Sequence, residues 1–390
     1  MLAGAALAGA SPAAAVPGAG RLASGVTYRE FDVPAHRGTV HAHLLTVDLT
    51  DPHVRVDLLT AGSVAARSRV STMADAAGAV AGVNGDFFNI SETQHPGVDV
   101  TGASVGPAIA HGRVLKAAVP TAQRFGPSLP PGADTTDVLG VGVDRRARLD
   151  RLRLVGSVRT RDGSLVLRGL NQYALAQDSV GAYTAAWGPA SRKRATCGSD
   201  TSRAAGCSTD TYEVRIRGGK VVATAATPGS GTIAPGTTVL LGREAGADRL
   251  RELTLGERVT LRKQMVASAS KVPYRFAVGG YPVLRGGVPA AGLDDTTTAV
   301  RTAAGYTSGG HRLLLLALDG AVAYRRGMTI AEVADEMRAL GAVDAFSLDG
   351  GGSTTLVART PGDSAVSVLN HPTDSPERAV ANGIGVFSKP

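Results

Sequence analysis

The sequence predicts a mixed α+β fold: a strand-rich sheet with a few short helices packed on it. Three observations lead there. Apolar residues alternate over many short runs, as in half-buried strands. Fifty glycines among 390 residues punctuate the chain too often for long helices. One stretch near the C-terminus reads as helix, glycine stop and strand in succession.

That stretch anchors the rest. Thr329-Ile330-Ala331-Glu332 has the form of a capping box. Ile330, Val333, Met337 and Leu340 follow at helical spacing, and Gly341 suits a helix stop. Ala345 to Leu348 is a short strand, which places Asp349 at a carboxyl end, where ligands of α/β layouts gather. Gly350, Gly351 and Gly352 come next, then Ser353, Thr354 and Thr355. Glycines let a ligand approach bare backbone, and amides freed in such a turn cradle anions. The plainer reading is a glycine turn in which Asp349 caps its own loop.

Taken from the start, residues 1–15 read as the apolar core of a signal peptide with an A-x-A cleavage site before Val16, although no positive residue precedes it. Residues 16–25 are rich in Pro, Gly and Ala and read as a disordered linker. The remainder, 26–390, reads as one domain with a β-rich middle at about 120–270. Val40–Val47 and Val54–Leu59 alternate as strands. His41 and His43 share one strand face, which makes them ligands or, more simply, part of a polar sheet surface. Ser71 or Thr72 is placed to cap a short helix.

Gly78-Ala79-Val80 then matches Gly341-Ala342-Val343. Asp86 follows Gly78 by eight positions, as Asp349 follows Gly341. Either an Ala/Gly-rich chain repeats itself by coincidence, or two similar units deliver an aspartate each to one site. Gly102-Ala103-Ser104-Val105-Gly106 fits the nucleophile-elbow pattern but lacks the strand–turn–helix setting it needs. Tyr183 to Trp187 reads either as a carbohydrate platform or as core. Arg301 beside Thr302 suits a phosphate or carboxylate, or a structural pairing with an aspartate. Asp319 ends the apolar run Leu313–Leu318, in an Asp-Gly context that also marks hairpins.

Composition narrows the functions. Forty-one Lys and Arg against 33 Asp and Glu give a net charge of +8. The basic residues are scattered and aromatics are 4%, which argues against a nucleic-acid groove. Beyond the leader, no apolar stretch is long enough to span a membrane, so stable membrane insertion is not expected. Cys197 and Cys207 are the only cysteines. In an exported chain an even count points to one disulfide, closing a short polar loop. Two cysteines without a nearby histidine make a poor zinc site.

Together, Asn84-Gly85-Asp86-Phe87-Phe88, Arg301-Thr302-Ala303 with Gly305, Leu348 to Thr355, and Glu377-Arg378 with Asn382 resemble the phosphodiester glycosidase family over roughly residues 30–388. The family often has His-Pro before Arg-Thr, where this chain has Ala299-Val300, so a substrate-side histidine is absent or replaced. The resemblance implies a secreted or cell-wall-associated enzyme that cleaves a sugar 1-phosphodiester, with a carbohydrate phosphodiester as partner and no cofactor. It implies catalytic roles for Asp349, Asp86 and Asp319. Substrate or phosphate contacts fall to Asn84, Gly85, Arg301, Thr302, Gly350, Gly351, Gly352, Ser353, Thr354, Arg378 and Asn382. Oxygen ligands from the three aspartates would suit calcium or magnesium, but no EF-hand spacing is present. Two other readings stand beside it: a serine hydrolase using Ser104 with Asp349 and His371, and a non-catalytic wall-glycan-binding protein.

Overall fold

The run Arg312–Leu318 explains the architecture. Leu313, Leu315 and Ala317 point to one side and Leu314, Leu316 and Leu318 to the other, and all six are buried. A strand apolar on both faces must be covered on both. The computed structural model describes residues 19–389, and in it this strand lies inside an eight-stranded sheet. Its neighbours are Gly38–Asp48 on one side and Thr302–Tyr306 on the other, both antiparallel. Beyond them lie Val26–Ala35 at one flank, and Asp344–Ser347 followed by Tyr281–Arg285 at the other.

One face of this sheet packs on the helix Ile330–Ala339 through Val333, Ala334 and Met337. The other face meets a five-stranded sheet in the order Ser367–Val368, Leu356–Ala358, Ala81–Asn84, Asn382–Ser388, Val54–Thr60. Leu45, Leu315 and Phe346 from the first sheet share a core with Val56, Val83 and Ile384 from the second. The expected β-rich middle is an eleven-stranded sheet running from Ala108–Ala110 to Tyr274–Gly279. Strands hold 41% of the residues and helices 11%. The fold is therefore mostly β, and the α+β expectation holds only in its coarse form.

Thr329 accepts from the Glu332 amide at 3.1 Å and Glu332 from the Thr329 amide at 2.8 Å, the reciprocal capping box. The first helix, Val70–Ala77, departs from expectation. Its N-cap is Arg69 and makes no side-chain cap bond, while Ser71 lies inside the helix and bonds Glu377. A distant carboxylate has taken the hydroxyl that a local cap would use. Gly78 and Gly341 both follow their helices with positive φ, at 72° and 93°.

Residues 19–25 are not disordered: Ala19–Ala23 pairs antiparallel with Val26–Ala35. The small residues that suggested a linker also suit an edge strand. The signal-peptide expectation for residues 1–15 lies outside the described residues. Cys197 and Cys207 form the expected disulfide. Tyr183 and Trp187 are both fully buried and packed edge to face, so they belong to the core and form no platform.

The cap supplies a test of how the helix is held. Thr329→Ala should lower stability by about 1 kcal/mol, whereas Thr329→Ser should be near neutral. Urea denaturation midpoints would show the difference.

Candidate active site

The two helix–glycine–strand units converge. Ala81–Asn84 belongs to the five-stranded sheet and Asp344–Ser347 to the eight-stranded one. Their ends meet where the Asp349 amide donates to the Gly85 carbonyl at 2.9 Å. Asn84 fixes this seam. Its Nδ2 donates to the Asp349 carbonyl at 2.6 Å. Its Oδ1 accepts from the Thr302 hydroxyl at 2.8 Å and from the Thr355 amide at 3.1 Å. The neighbouring strand contributes Asn382, whose Oδ1 accepts from the Asp86 amide at 2.9 Å and whose carbonyl accepts from Gly85. A β-carbon on Gly85 would collide with the Asn382 side chain, so the turn requires glycine there.

Asp86 is 1% exposed. Its Oδ2 accepts from the Gly106 amide at 2.6 Å, while Oδ1 has no partner among the described residues. A methyl on Gly279 would strike this carboxylate, so Gly106 and Gly279 together leave just enough room for it. Burial pushes the Asp86 pKa up; Lys116, the Gly106 amide and Arg124 pull it back. Lys116 is 1% exposed and donates to the carbonyls of Val105, Gly106 and Ala117. Burial pushes its pKa down. Three acceptors nevertheless use all three protons of the ammonium form.

Asp349 is half-buried. Burial raises its pKa to about 7, opposed by the Ser353 hydroxyl and Arg378 and reinforced by the charge of Asp86. The two carboxylates therefore sense one another. Asp349 also accepts from the Gly350 amide at 3.0 Å, so it caps its own loop as well as facing the site. Arg378 Nη1 donates to Ser353 Oγ at 3.3 Å and Nε to Asp374 at 2.7 Å, with the guanidinium laid against Gly352.

Other expected residues sit differently. Gly351, Ser353 and Thr354 direct their amides to Val300, Gly350 and Gly351 carbonyls, so those amides do not form an open anion nest. Thr302, Thr354 and Asn84 are fully buried and bonded among themselves; they position strand ends. Arg301 Nε and Nη2 donate to the carbonyls of Met328 and Thr297. With Tyr281, Asp294 and Thr297 it lines a cleft of about 240 Å³.

Asp319 belongs to another cluster. It bonds His43 and His371, which hold its pKa well below the ordinary range despite burial. The Ser104–Asp349–His371 triad is not assembled: His371 pairs with Asp319, while Ser104 lines a small cavity beside Lys116 and Asn382. No helix follows Ser104 to form an elbow.

Lys116, Arg124 and Tyr281 escaped sequence reasoning. Arg124 lies over the Phe87 ring at 5.3 Å and feels the charge of Asp86. Tyr281 stacks on Phe87 and bonds Ser347. A lysine set in the apolar run Val114–Val119 was a legible sign of a buried charge.

Asp86 and Asp349 thus stand at a seam between two sheets, with Lys116 and Arg124 near the first and Arg378 near the second. Residues 210–387, just under half of the chain, match the family model described as phosphodiester glycosidase. Arg301, Asp319, Asp349, Arg378 and Asn382 fall inside the match, and Asp86 falls outside it. No curated protein matches.

Among solved structures, the chain is similar to a hypothetical protein from Synechocystis, with a TM-score of 0.71 and 19% identity, over 94% of this chain and 62% of that one. It thus spans less than two thirds of that relative. It is also similar to a "Putative exported protein" from Burkholderia pseudomallei, with a TM-score of 0.68 and 24% identity, over 90% of this chain and 74% of that one. The zebrafish N-acetylglucosamine-1-phosphodiester alpha-N-acetylglucosaminidase catalytic domain aligns with a TM-score of 0.45 and 15% identity, over 97% and 87% of the two chains. The first two show a shared fold.

Two measurements follow from the seam. Asn84→Ala strands the Thr355 amide and the Asp349 carbonyl and should cost about 2–3 kcal/mol in urea denaturation. Asp349 titrates near 4 when unfolded and about 7 when folded. Between those pH values the unfolded chain has released the proton that the folded chain retains. Stability from this group is therefore lost as pH rises from about 4 to about 7. Asp349→Asn should be more stable than the parent at pH 8, and the gap should close below pH 4.

Proposed function

We propose that this chain is an exported glycosidase that hydrolyses a sugar 1-phosphodiester, of the N-acetylglucosamine-1-phosphate type, to free sugar and a phosphomonoester. Residues 26–390 act as one catalytic domain, and cell-wall or extracellular polysaccharide is the substrate source. The observation that carries the reading is the meeting of Asp86 and Asp349 between Arg378 and Lys116, in a chain whose C-terminal half matches phosphodiester glycosidases. Export is supported by the disulfide and by the likeness to the Burkholderia protein.

A phosphate monoester is a good leaving group, so cleavage at the anomeric carbon needs charge stabilisation more than a strong acid. Asp349, the more exposed of the two, is assigned to the anomeric carbon as base or nucleophile. Asp86, buried and anchored, adds its charge to the burial that keeps the Asp349 pKa high, and its Oδ1 has no partner among the described residues. Arg378 is assigned to the phosphate because it is the arginine whose charge Asp349 feels. Arg301, from the adjoining cleft, reaches the same phosphate or the group esterified to it. Asn84, Gly85, Thr302, Thr354 and Asn382 act by positioning, and Asp319 stands outside the reaction.

The ionised form of Asp349 is the reactive one, so kcat/KM on a defined sugar phosphodiester should rise through a pH of about 7 to a plateau. Asp349→Asn should lower kcat by about 10²–10⁴-fold with the fold intact. Near-parental activity in that variant would remove the catalytic assignment. Arg378→Lys and Arg301→Lys each lose the planar fork and should cost phosphodiester cleavage about ten- to a hundredfold, with less effect on an uncharged aryl glycoside. Equal losses on both substrates would make the arginines structural. Polymer binding without released product would make the protein a wall-glycan binder.

A further inference from the structure

The strands Val26–Ala35 and Gly38–Asp48 set Glu30 directly opposite His43, and Asp32 opposite His41. In an antiparallel pair such partners share a face, and diagonal neighbours come within reach of long side chains. Tyr28 lies on the same face two positions before Glu30. Glu30 Oε2 is 3.9 Å from His41 Nε2 and 4.0 Å from His43 Nδ1. One ligand atom from each of the three residues lies within 4.8 Å of the others. A tetrahedral ion with bonds of about 2.0–2.1 Å needs ligand atoms roughly 3.4 Å apart, so small rotamer shifts would close the set.

The remote ring nitrogens make the cluster more than a polar surface. His41 Nδ1 is 2.7 Å from Asp32 Oδ1, and His43 Nε2 is 3.3 Å from Asp319 Oδ2. Asp319 is itself fixed by the Ala321 amide at 2.6 Å and by His371 at 2.8 Å. A carboxylate on the far nitrogen draws the ring proton there. It leaves the near nitrogen unprotonated, as in carboxylate–histidine–metal sites; on His41 that nitrogen faces Glu30, and on His43 it holds the Tyr28 hydroxyl, which an ion would displace. The Tyr28 hydroxyl, 2.8 Å from His43 Nδ1 and 3.0 Å from Glu30 Oε2, lies beside the same point. Tyr324 packs on the His41 ring and limits its rotation.

We propose that Glu30, His41 and His43 bind one divalent transition-metal ion of the zinc class, with Asp32 and Asp319 as positioning residues. Two imidazoles and one carboxylate suit zinc rather than calcium or magnesium, which prefer six or more oxygens. The three carboxylates in and around the set favour a dication. The site is distinct from the Asp86–Asp349 seam. Asp319 and Asp349 end strands that flank Thr302–Tyr306, so two strand spacings, roughly 10 Å, separate them. His43 lies on the next strand beyond Arg312–Leu318. The ion would tie the two strands of the Val26–Asp48 hairpin to each other, and the His43–Asp319 contact joins that hairpin to the loop after Leu318.

The full chain, stripped with chelator and dialysed, should bind Zn²⁺ with 1:1 stoichiometry by calorimetry, and bound Co²⁺ should show the visible absorption of a tetrahedral site. Mg²⁺ and Ca²⁺ should not compete. His41→Gln and His43→Gln should abolish binding with circular dichroism unchanged. Asp32→Asn should weaken it about 10–100-fold. Glu30→Gln, on the exposed side of the hairpin, keeps the test open if a histidine variant misfolds, and it should also lose the ion. No Zn²⁺ binding by the parent chain, or binding that survives the His41, His43 and Glu30 substitutions unchanged, would overturn the proposal. Unaltered affinity in Asp32→Asn would overturn the positioning role.

Discussion

The carboxamide of Asn84 is the contact on which the site depends. It is fully buried, with one donor on the Asp349 carbonyl and one acceptor shared by the Thr302 hydroxyl and the Thr355 amide. Those partners come from two separate stretches of chain, the strand at Thr302 and the loop from Asp349 to Thr355. Only a side chain that both donates and accepts can satisfy them at once, and the Thr355 amide would otherwise be a buried polar group without a partner. The seam between the two sheets is thus set by a polar contact at its end and by apolar packing behind it.

The charges obey the same geometry. Asp86 and Asp349 are both pushed toward their neutral forms by burial, and Asp86 pushes Asp349 further. Lys116 and Arg124 limit the cost without forming a close ion pair with Asp86, which would hold its carboxylate ionised. A carboxyl poised near neutrality is what proton transfer at ordinary pH requires, and such groups destabilise the fold that contains them.

Much of this was legible in the sequence. The capping box at Thr329, the glycine stops at Gly78 and Gly341 and the strand ends at Asp86 and Asp349 are local, and local rules read them. The matched eight-residue spacing left coincidence and a repeat both open, and the structure has a helix, a glycine of positive φ and a strand before each aspartate. What local rules could not see was where side chains go after the chain closes. Ser71 is claimed by Glu377 from 306 positions away. The amides of Gly351, Ser353 and Thr354 turn to carbonyls, including that of Val300, which nothing nearby in sequence reveals. Asp319 looked like a third member of one carboxylate set because its neighbours in sequence are glycine and apolar residues; its real partners are His43 and His371. Lys116 and Arg124 matter only because the sheets bring them to Asp86.

The order of strands in the five-stranded sheet has a consequence for biosynthesis. Asn382–Ser388 lies between Ala81–Asn84 and Val54–Thr60, and Asn382 holds the backbone of Asp86. During translation, residues 54–86 emerge some three hundred residues before the strand that separates and joins them. Until that strand arrives, the apolar faces of Val56, Leu58 and Val83 have no central partner, and the Asp86 turn has no anchor. The Asp86–Asp349 seam is therefore completed by late-made chain, and a nascent polypeptide lacks it until this sheet closes.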